Sequence, residues 1–390
     1  MISYPDVRLN NSSLHSDIAT EFQANGHTVY VAAPSIGEEV DSLHMEGNVH
    51  VLRVKTNKLF NVNPIKKGIA NLRLPYQFKK ALKKHVKDLD FDLVLTPTPP
   101  ITFSSLVYWF KKRYNAKYYL ILRDIFPQNA KDLGLIKNNL LFNFFRKKEK
   151  QLYKIADAIG CMSQGNIDFV IQHNPQVDKK KLHLLPNWET PKPYVAPTGQ
   201  MKEKYGLQNK FVAVFGGNIG LPQQLEFVLE LAERKKDNKN IVFLIIGDGT
   251  ERKRVENLAK GKGLDNVVFK NAIPREDYNE LVKECEIGLI CLNEKFTIPN
   301  IPSKTLSYFN AKIPVLAAVD KSTDYGKILE DAQAGLWSIT GDGEAYERNF
   351  DKLYQDENFR KGLGDNGHQY FLDHLTTNQA YKTILQNMNL

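Results

Sequence analysis

Short apolar runs and longer amphipathic segments alternate along almost the whole chain. In the first half "HTVYVAAP" (27–34), "VHVLRV" (49–54), "DLVLTPTP" (92–99), "KYYLILRD" (117–124), "AIGCMS" (158–163) and "LHLLPN" (182–187) are rich in Val, Ile, Leu and Tyr and read as strands. Helical spacing recurs between them. Leu14, Ile18 and Phe22 fall every four residues, with Ser12 or Ser13 to cap the start and Gly26 to end the turn. The second half repeats the pattern with "FVAVFGG", "IVFLIIGDG", "NVVFKN", "EIGLICL" and "IPVLAAV" as strands and helices over 275–284 and 303–311. Such alternation predicts parallel sheets wrapped by helices, an α/β chain of two doubly wound, Rossmann-like domains. "YVAPTGQMKEKYG" (194–206) has no strand pattern and contains Pro197 and Gly199. It is the expected hinge between domains 1–194 and 195–370. Met1 to Pro5 offers only half a strand before the "NNSS" turn, so the chain is expected to begin inside its first strand.

The segment "FVAVFGGNIGLPQQLEFVLELAERKK" (211–236) places a strand, a glycine turn and an amphipathic helix in succession. Gly216 and Gly217 allow a positive φ and close approach of a ligand to the backbone. The free N–H groups and positive dipole end of a helix start suit a phosphate. The plainer reading is a tight connection alone. "GGNIG" lacks the G-x-G-x-x-G spacing, and the chain holds no G-K-[ST] phosphate loop. One strand later "IIGDGTERKRVENLA" repeats the design, with Gly247 and Gly249 flanking Asp248, and Arg252 near the helix start. Two such turns at successive strand ends point to an anionic ligand, because ligands of open α/β sheets gather at the C-terminal strand ends.

Composition narrows the setting. With 390 residues, 42% hydrophobic and 25% charged, the chain reads as a globular protein too long for one ordinary core. Its longest nearly uncharged apolar stretch, Ile101 to Phe110, is far shorter than the roughly 20 residues a spanning helix requires. No basic-then-apolar leader opens the sequence, which argues against secretion. Cys161, Cys285 and Cys291 lack any C-x-x-C spacing and are expected as buried thiols of a reducing, cytoplasmic compartment. The basic excess is one-sided. Residues 1–190 hold 27 Lys/Arg against 17 Asp/Glu, whereas 191–390 hold 26 against 27.

In the second half "VFGGNIG", "IIGDGTER", "NVVFKNAIPREDYNELVKECEIGLICL" and "IPSKTLSYFNAKIPVLAA", and in the first half "HSDIATEFQANGHTVYV", "LRDIFPQNAKDLGL", "YKIADAIGCMS" and "LLPNWE", occur in the order of a known family. Over nearly its whole length the chain resembles the family-4 retaining glycosyltransferases, in the branch that builds bacterial surface polysaccharides. The resemblance implies the GT-B architecture, two doubly wound domains facing across a cleft that holds a nucleotide-sugar. It implies that Gly216, Gly217 and Asn218 lie beside the diphosphate, together with Asp248, Gly249 and possible balancing charge from Arg252. Ala272 and Ile273 would contact the base, and Lys304 with the helix start at Thr305 would meet the leaving phosphates. The resemblance also implies that segment 371–390, including "HLTTNQAYKTILQ" with Thr376 or Thr377 as cap, is a helix returning to the first domain. The family's two glutamates, seven residues apart, are replaced by Pro299 and Ser307, leaving Ser307 to bond the ribose hydroxyls without charge assistance, with Glu294 of the preceding loop as a second candidate.

Arg123 and Asp124 end a strand and match the branch's Arg-Asp pair; they either orient acceptor or donor hydroxyls or form a cap and its ion-pair partner. Asn11 and Ser12 either touch the acceptor or donor phosphate or serve the helix cap. The nine histidines form no ligand cluster and are expected as surface or satisfied core residues. No metal site and no cofactor are expected; the nucleotide-sugar is a substrate. Basic residues interleaved with Phe, Leu, Ile and Tyr over 57–87 and 139–154 suit docking on anionic lipid headgroups rather than nucleic acid. The expected activity is retaining transfer of a hexosyl or N-acetylhexosaminyl group from a UDP-sugar to a lipid-diphosphate-linked glycan in capsule, O-antigen or exopolysaccharide synthesis, by a peripheral enzyme at the inner membrane face. The alternatives are a nucleotide-sugar 2-epimerase of the same fold and a non-catalytic partner.

Overall fold

A computed structural model of the chain describes residues 1–2, 7–9, 11–35, 40–57 and 64–390, with 64–67 described by their backbone alone. Its contacts divide it into two units, Met1–Thr190 with Thr376–Leu390, and Pro191–Leu375. Residues 191–198 carry no regular structure and are exposed.

The strands of the first unit are β1 (Tyr30–Ser35), β2 (Ser42–Glu46), β3 (Val49–Lys55), β4 (Leu93–Pro97), β5 (Lys117–Leu122), β6 (Ala158–Cys161) and β7 (Leu182–Leu184). They form the sheets β1-β3-β2 and β4-β5-β6-β7, parallel except for β2 against β3. Ile2 joins the two. It bridges Ala32 of β1 in parallel and donates its N–H to the Leu95 carbonyl of β4 at 2.9 Å. Ile2 therefore takes the central place expected of a first strand, while residues 3–5 of that expected strand lie outside the described residues.

The helices here are α1 (Leu14–Ala24), α2 (Pro64–His85), α3 (Ser104–Tyr114), α4 (Gln128–Asp132), α5 (Asn139–Ile155) and α6 (Gln164–His173). The second unit holds α7 (Gln200–Lys204), α8 (Glu226–Arg234), α9 (Arg252–Gly261), α10 (Arg275–Lys283), α11 (Thr305–Asn310), α12 (Tyr325–Asp331), α13 (Gly343–Gln355) and α14 (Glu357–His374). The last helix, α15 (Thr377–Met388), returns to the first unit.

Side chains of β5 alternate between two cores, as strand geometry demands. Tyr118, Leu120 and Leu122 face the helices α2 and α3, whereas Tyr119 and Ile121 pack with Ile18 and Phe22 of α1 and with Tyr381, Ile384 and Met388 of α15. Thr376 caps α15 by accepting from the Gln379 N–H at 3.3 Å.

The second unit has one six-stranded parallel sheet of β8 (Phe211–Gly216), β9 (Ile241–Ile246), β10 (Val267–Lys270), β11 (Ile287–Cys291), β12 (Val315–Val319) and β13 (Gly335–Ile339), in the order β10-β9-β8-β11-β12-β13. Its central strands are buried on both faces, so they read as unbroken apolar runs. Cys161, Cys285 and Cys291 are free and buried, and burial pushes the Cys161 and Cys291 thiols up to about 12. Among the described residues no helix is long and apolar enough to cross a membrane, and no three His, Cys, Asp or Glu side chains converge as metal ligands.

Candidate active site

Parallel strands bring the loops after β8, β9 and β10 to one sheet edge, and the two glycine turns meet there. The Ile219 N–H donates to the Asp248 carbonyl at 2.8 Å, and the Glu251 N–H donates back to the Ile219 carbonyl at 3.0 Å. The Gly217 N–H reaches the Ile246 carbonyl at 2.9 Å. The turns are thus one interlocked piece, fixed by backbone hydrogen bonds.

This interlock accounts for two of the four glycines. Gly247 sits at φ +140° and Gly249 at φ +159°, and a β-carbon on either would collide with the carbonyl of Gly217 or Ile219. Gly216 leaves space for the Tyr278 ring of α10. Gly217 differs. At φ +119° it is exposed, and a β-carbon there would meet only the Lys304 Cε, at 3.9 Å.

Lys304, at the start of α11, is the charge facing this turn. Its Nζ lies 4.3 Å from the centre of the Phe215 ring and forms no hydrogen bond or ion pair with any described residue. Burial lowers its pKa to about 8, with the Cys291 thiol acting in the opposite sense. An ammonium held against an aromatic face, with no carboxylate beside it, is short of an anion.

The other expected residues are placed unequally. Arg252 donates to the Lys270 carbonyl at 2.8 Å and to the Gly247 carbonyl at 2.5 Å, pairs with Glu256 at 3.4 Å and lies over the Phe269 ring. Its guanidinium ties the second turn to β10. Thr305 is buried, and its hydroxyl shares hydrogen bonds with the Pro302 carbonyl at 2.8 Å and the Tyr325 hydroxyl at 2.7 Å. The Asn218 amide donates to Gln223 Oε1 at 3.3 Å. Asp248 and Gly249 are exposed in the second turn, and Ala272 is exposed after β10, where Ile273 is half-buried against the core. Ser307 is half-buried, and its hydroxyl makes no hydrogen bond within the described chain. Glu294 is exposed; its backbone N–H bonds Gln224, and its carboxylate lies toward Gly341.

In the first unit the end of β5 is held by Thr98, whose hydroxyl accepts the N–H groups of Arg123 at 2.9 Å and Asp124 at 3.2 Å. Burial lowers the Arg123 pKa, and Asp124 opposes that shift. Asp124 keeps surface open to solvent, yet the protein around its carboxyl raises its pKa, with Arg123 pulling the other way. Beside them stands a residue that sequence reasoning passed over. His15, in the first turn of α1, has a buried Nδ1 with no hydrogen-bond partner. Burial, aided by the Arg123 charge, lowers its pKa to about 4, so it is neutral at physiological pH. It is neither a surface nor a satisfied core histidine, and the signal that could have found it is its position one turn from Ser12 on the helix that begins at this sheet edge.

Asn11 and Ser12 serve α1. The Asn11 carbonyl accepts the Ser16 hydroxyl at 2.7 Å, Ser12 Oγ donates to Asp17 at 3.1 Å, and Ser13 supplies the cap.

Two family descriptions match the sequence in tandem, Glycosyltransferase Family 4 over residues 16–188 and Glycosyl transferases group 1 over residues 198–370. The chain belongs to the family-4 glycosyltransferases. It is a transferase of the GT-B fold, and the tandem match falls on the two units. It is 24% identical over 339 residues to a probable glycosyltransferase, WbjE, of Pseudomonas aeruginosa, covering 84% of this chain and 78% of that one. Its fold is similar to that of WaaG, a glycosyltransferase involved in lipopolysaccharide biosynthesis, with a TM-score of 0.70, 15% identity and 99% of each chain covered. It is similar also to HepE of Anabaena solved with UDP-glucose, with a TM-score of 0.71 and 13% identity over 100% of this chain and 99% of that one.

Proposed function

We propose that the enzyme transfers a sugar from a UDP-sugar, with retention at the anomeric carbon, to a lipid-diphosphate-linked glycan during synthesis of a bacterial surface polysaccharide, working peripherally at the inner membrane face. The observation that carries this reading is Lys304, a cation without an anion set against the exposed Gly217 turn. Breaking the anomeric C–O bond leaves charge on a pyrophosphate, and a fixed ammonium stabilises it as it develops. The desolvated surroundings that depress the Lys304 pKa are those in which its attraction for phosphate is strongest.

UDP as the nucleotide is supported by the Anabaena protein solved with UDP-glucose, and a part in surface-polysaccharide synthesis by WaaG, which is involved in lipopolysaccharide biosynthesis. Arg123 and Asp124, presented through Thr98, are assigned to orienting hydroxyl groups of acceptor or donor. No side chain is assigned as a nucleophile, and no metal enters the scheme.

Incubating the enzyme with candidate UDP-sugars, with and without a membrane extract, tests the reading by mass spectrometry. Sugar should move onto lipid only when extract is present. Isomerised donor without extract would instead make the protein an epimerase, and failure to bind UDP would make it a non-catalytic partner.

A further inference from the structure

Three helices of the first unit, α2, α3 and α5, carry fifteen Lys or Arg and one carboxylate in sequence. That carboxylate, Glu149, is buried and satisfied by Arg146 and by the Tyr153 hydroxyl at 2.8 Å. Asp157 pairs with Lys111 of α3 at 2.6 Å, and the outer faces of α2 and α5 carry no carboxylate of their own.

Those faces are also apolar where a globular surface would be polar. Ile69, Leu72 and Tyr76 follow one another at helical spacing on α2 with exposures of 48%, 48% and 72%, and Lys79 and Lys83 continue the stripe. On α5 Leu140, Leu141 and Phe144 are exposed and lead to Lys147 and Lys148. The opposite side of α2 (Ala70, Leu74, Phe78 and Ala81) packs into the core, so these helices have an outer apolar stripe in addition to the one that folds them.

The stripes meet at a cavity of about 270 Å³. Leu72, Tyr76 and Lys79 of α2 form one wall and Lys148 of α5 the other, over a floor that includes Thr102 and Ser105. No carboxylate lines it. Lys79 lies 5.2 Å from the Trp109 ring and Lys148 lies 5.8 Å from the Phe144 ring, and neither forms an ion pair with a described residue.

We propose that this groove seats the phosphate of an anionic phospholipid headgroup while the stripes of α2 and α5 rest in the bilayer surface. The inference deepens the reading of a lipid-held acceptor and rests on it. Charge complementarity selects an anion. The flanking Ile, Leu and Phe side chains select a bilayer over a nucleic acid or free phosphate, neither of which would cover an aliphatic stripe. Residues 58–63, also within the expected basic run 57–87, lie outside the described residues.

Flotation of the full chain with phosphatidylcholine vesicles, with and without phosphatidylglycerol, tests this. Wild type should partition to the anionic vesicles alone. Lys79→Gln with Lys148→Gln should weaken that partitioning about thirtyfold, from roughly fivefold per lysine near the surface. Leu141→Ser with Phe144→Ser should weaken it too, and Lys236→Gln on the second unit should not. Undiminished partitioning of the double lysine variant, an equal loss in Lys236→Gln, or a single-stranded oligonucleotide bound through Lys79 and Lys148 while vesicle binding is untouched, would overturn the proposal. UDP calorimetry on the same variants keeps the readings apart. Vesicle binding without UDP binding sinks sugar transfer and keeps the groove, and UDP binding without vesicle binding does the reverse.

Discussion

At Gly247 a single β-carbon decides whether two loops can touch. Alanine there would combine a left-handed backbone with a collision against the Gly217 carbonyl. Gly247→Ala should cost at least about 2 kcal/mol in a denaturant melt, most of it beyond the strain of φ alone. Gly217→Ala meets only the end of the Lys304 side chain and should cost about 1 kcal/mol. The turns were legible in the sequence, but not the reason for each glycine. Gly247 and Gly249 answer to residues some thirty positions earlier, and Arg252 to two carbonyls, and such distant pairings leave no mark on local spacing. His15 was missed for the same cause: its isolation depends on what the fold packs around it.

Lys304 gives the site a pH dependence whose sign is fixed. Its pKa of about 8 in the folded chain lies below the ordinary lysine value of 10.5. Between these values the unfolded chain binds more protons, so folded stability rises with pH across that window, and the cost of the buried charge is fully present below pH 8. A bound pyrophosphate favours the charged amine. From about pH 7, where the terminal phosphate of UDP is ionised, to pH 8 UDP affinity should therefore be level, and above pH 8 it should fall by up to about tenfold per unit, with proton uptake detectable by calorimetry in buffers of different ionisation enthalpy. A flat profile through pH 9 would remove Lys304 from contact with the phosphates.

Among elements, the strands buried on both faces announced themselves as apolar runs, whereas two edge strands did not. Among the described residues β2 pairs only with β3 and mixes Ser, His and Glu with Leu and Met, and β13 pairs only with β12 and is partly exposed. Edge positions permit polar side chains, which erases the pattern that sequence reading depends on. The helix α15 was readable from its cap and spacing, and its docking partner rested on the resemblance. Ile384 is fully buried between α15 and the β5 face. Ile384→Ala should destabilise the first unit by about 2–5 kcal/mol, seen as a lower Tm, while UDP binding in the second unit persists.

For the whole molecule, sequence anticipated two α/β units with a junction near residue 194, and contacts place the divisions after Thr190 and Leu375. The basic excess belongs to the first unit, and there it collects on helices remote in sequence from the glycine turns. A change at the groove should alter where the enzyme works, and a change at Lys304 should alter what it binds.

The central claim is that Lys304 is held without an anion so that a departing nucleoside diphosphate can supply one. Isothermal calorimetry of UDP binding to wild type and to Lys304→Ala addresses it most directly, with thermal melts to confirm that the variant is folded. Affinity should be about a hundredfold weaker in Lys304→Ala, the value of a charge-assisted contact in a desolvated site. Equal affinity in the two folded proteins would contradict it.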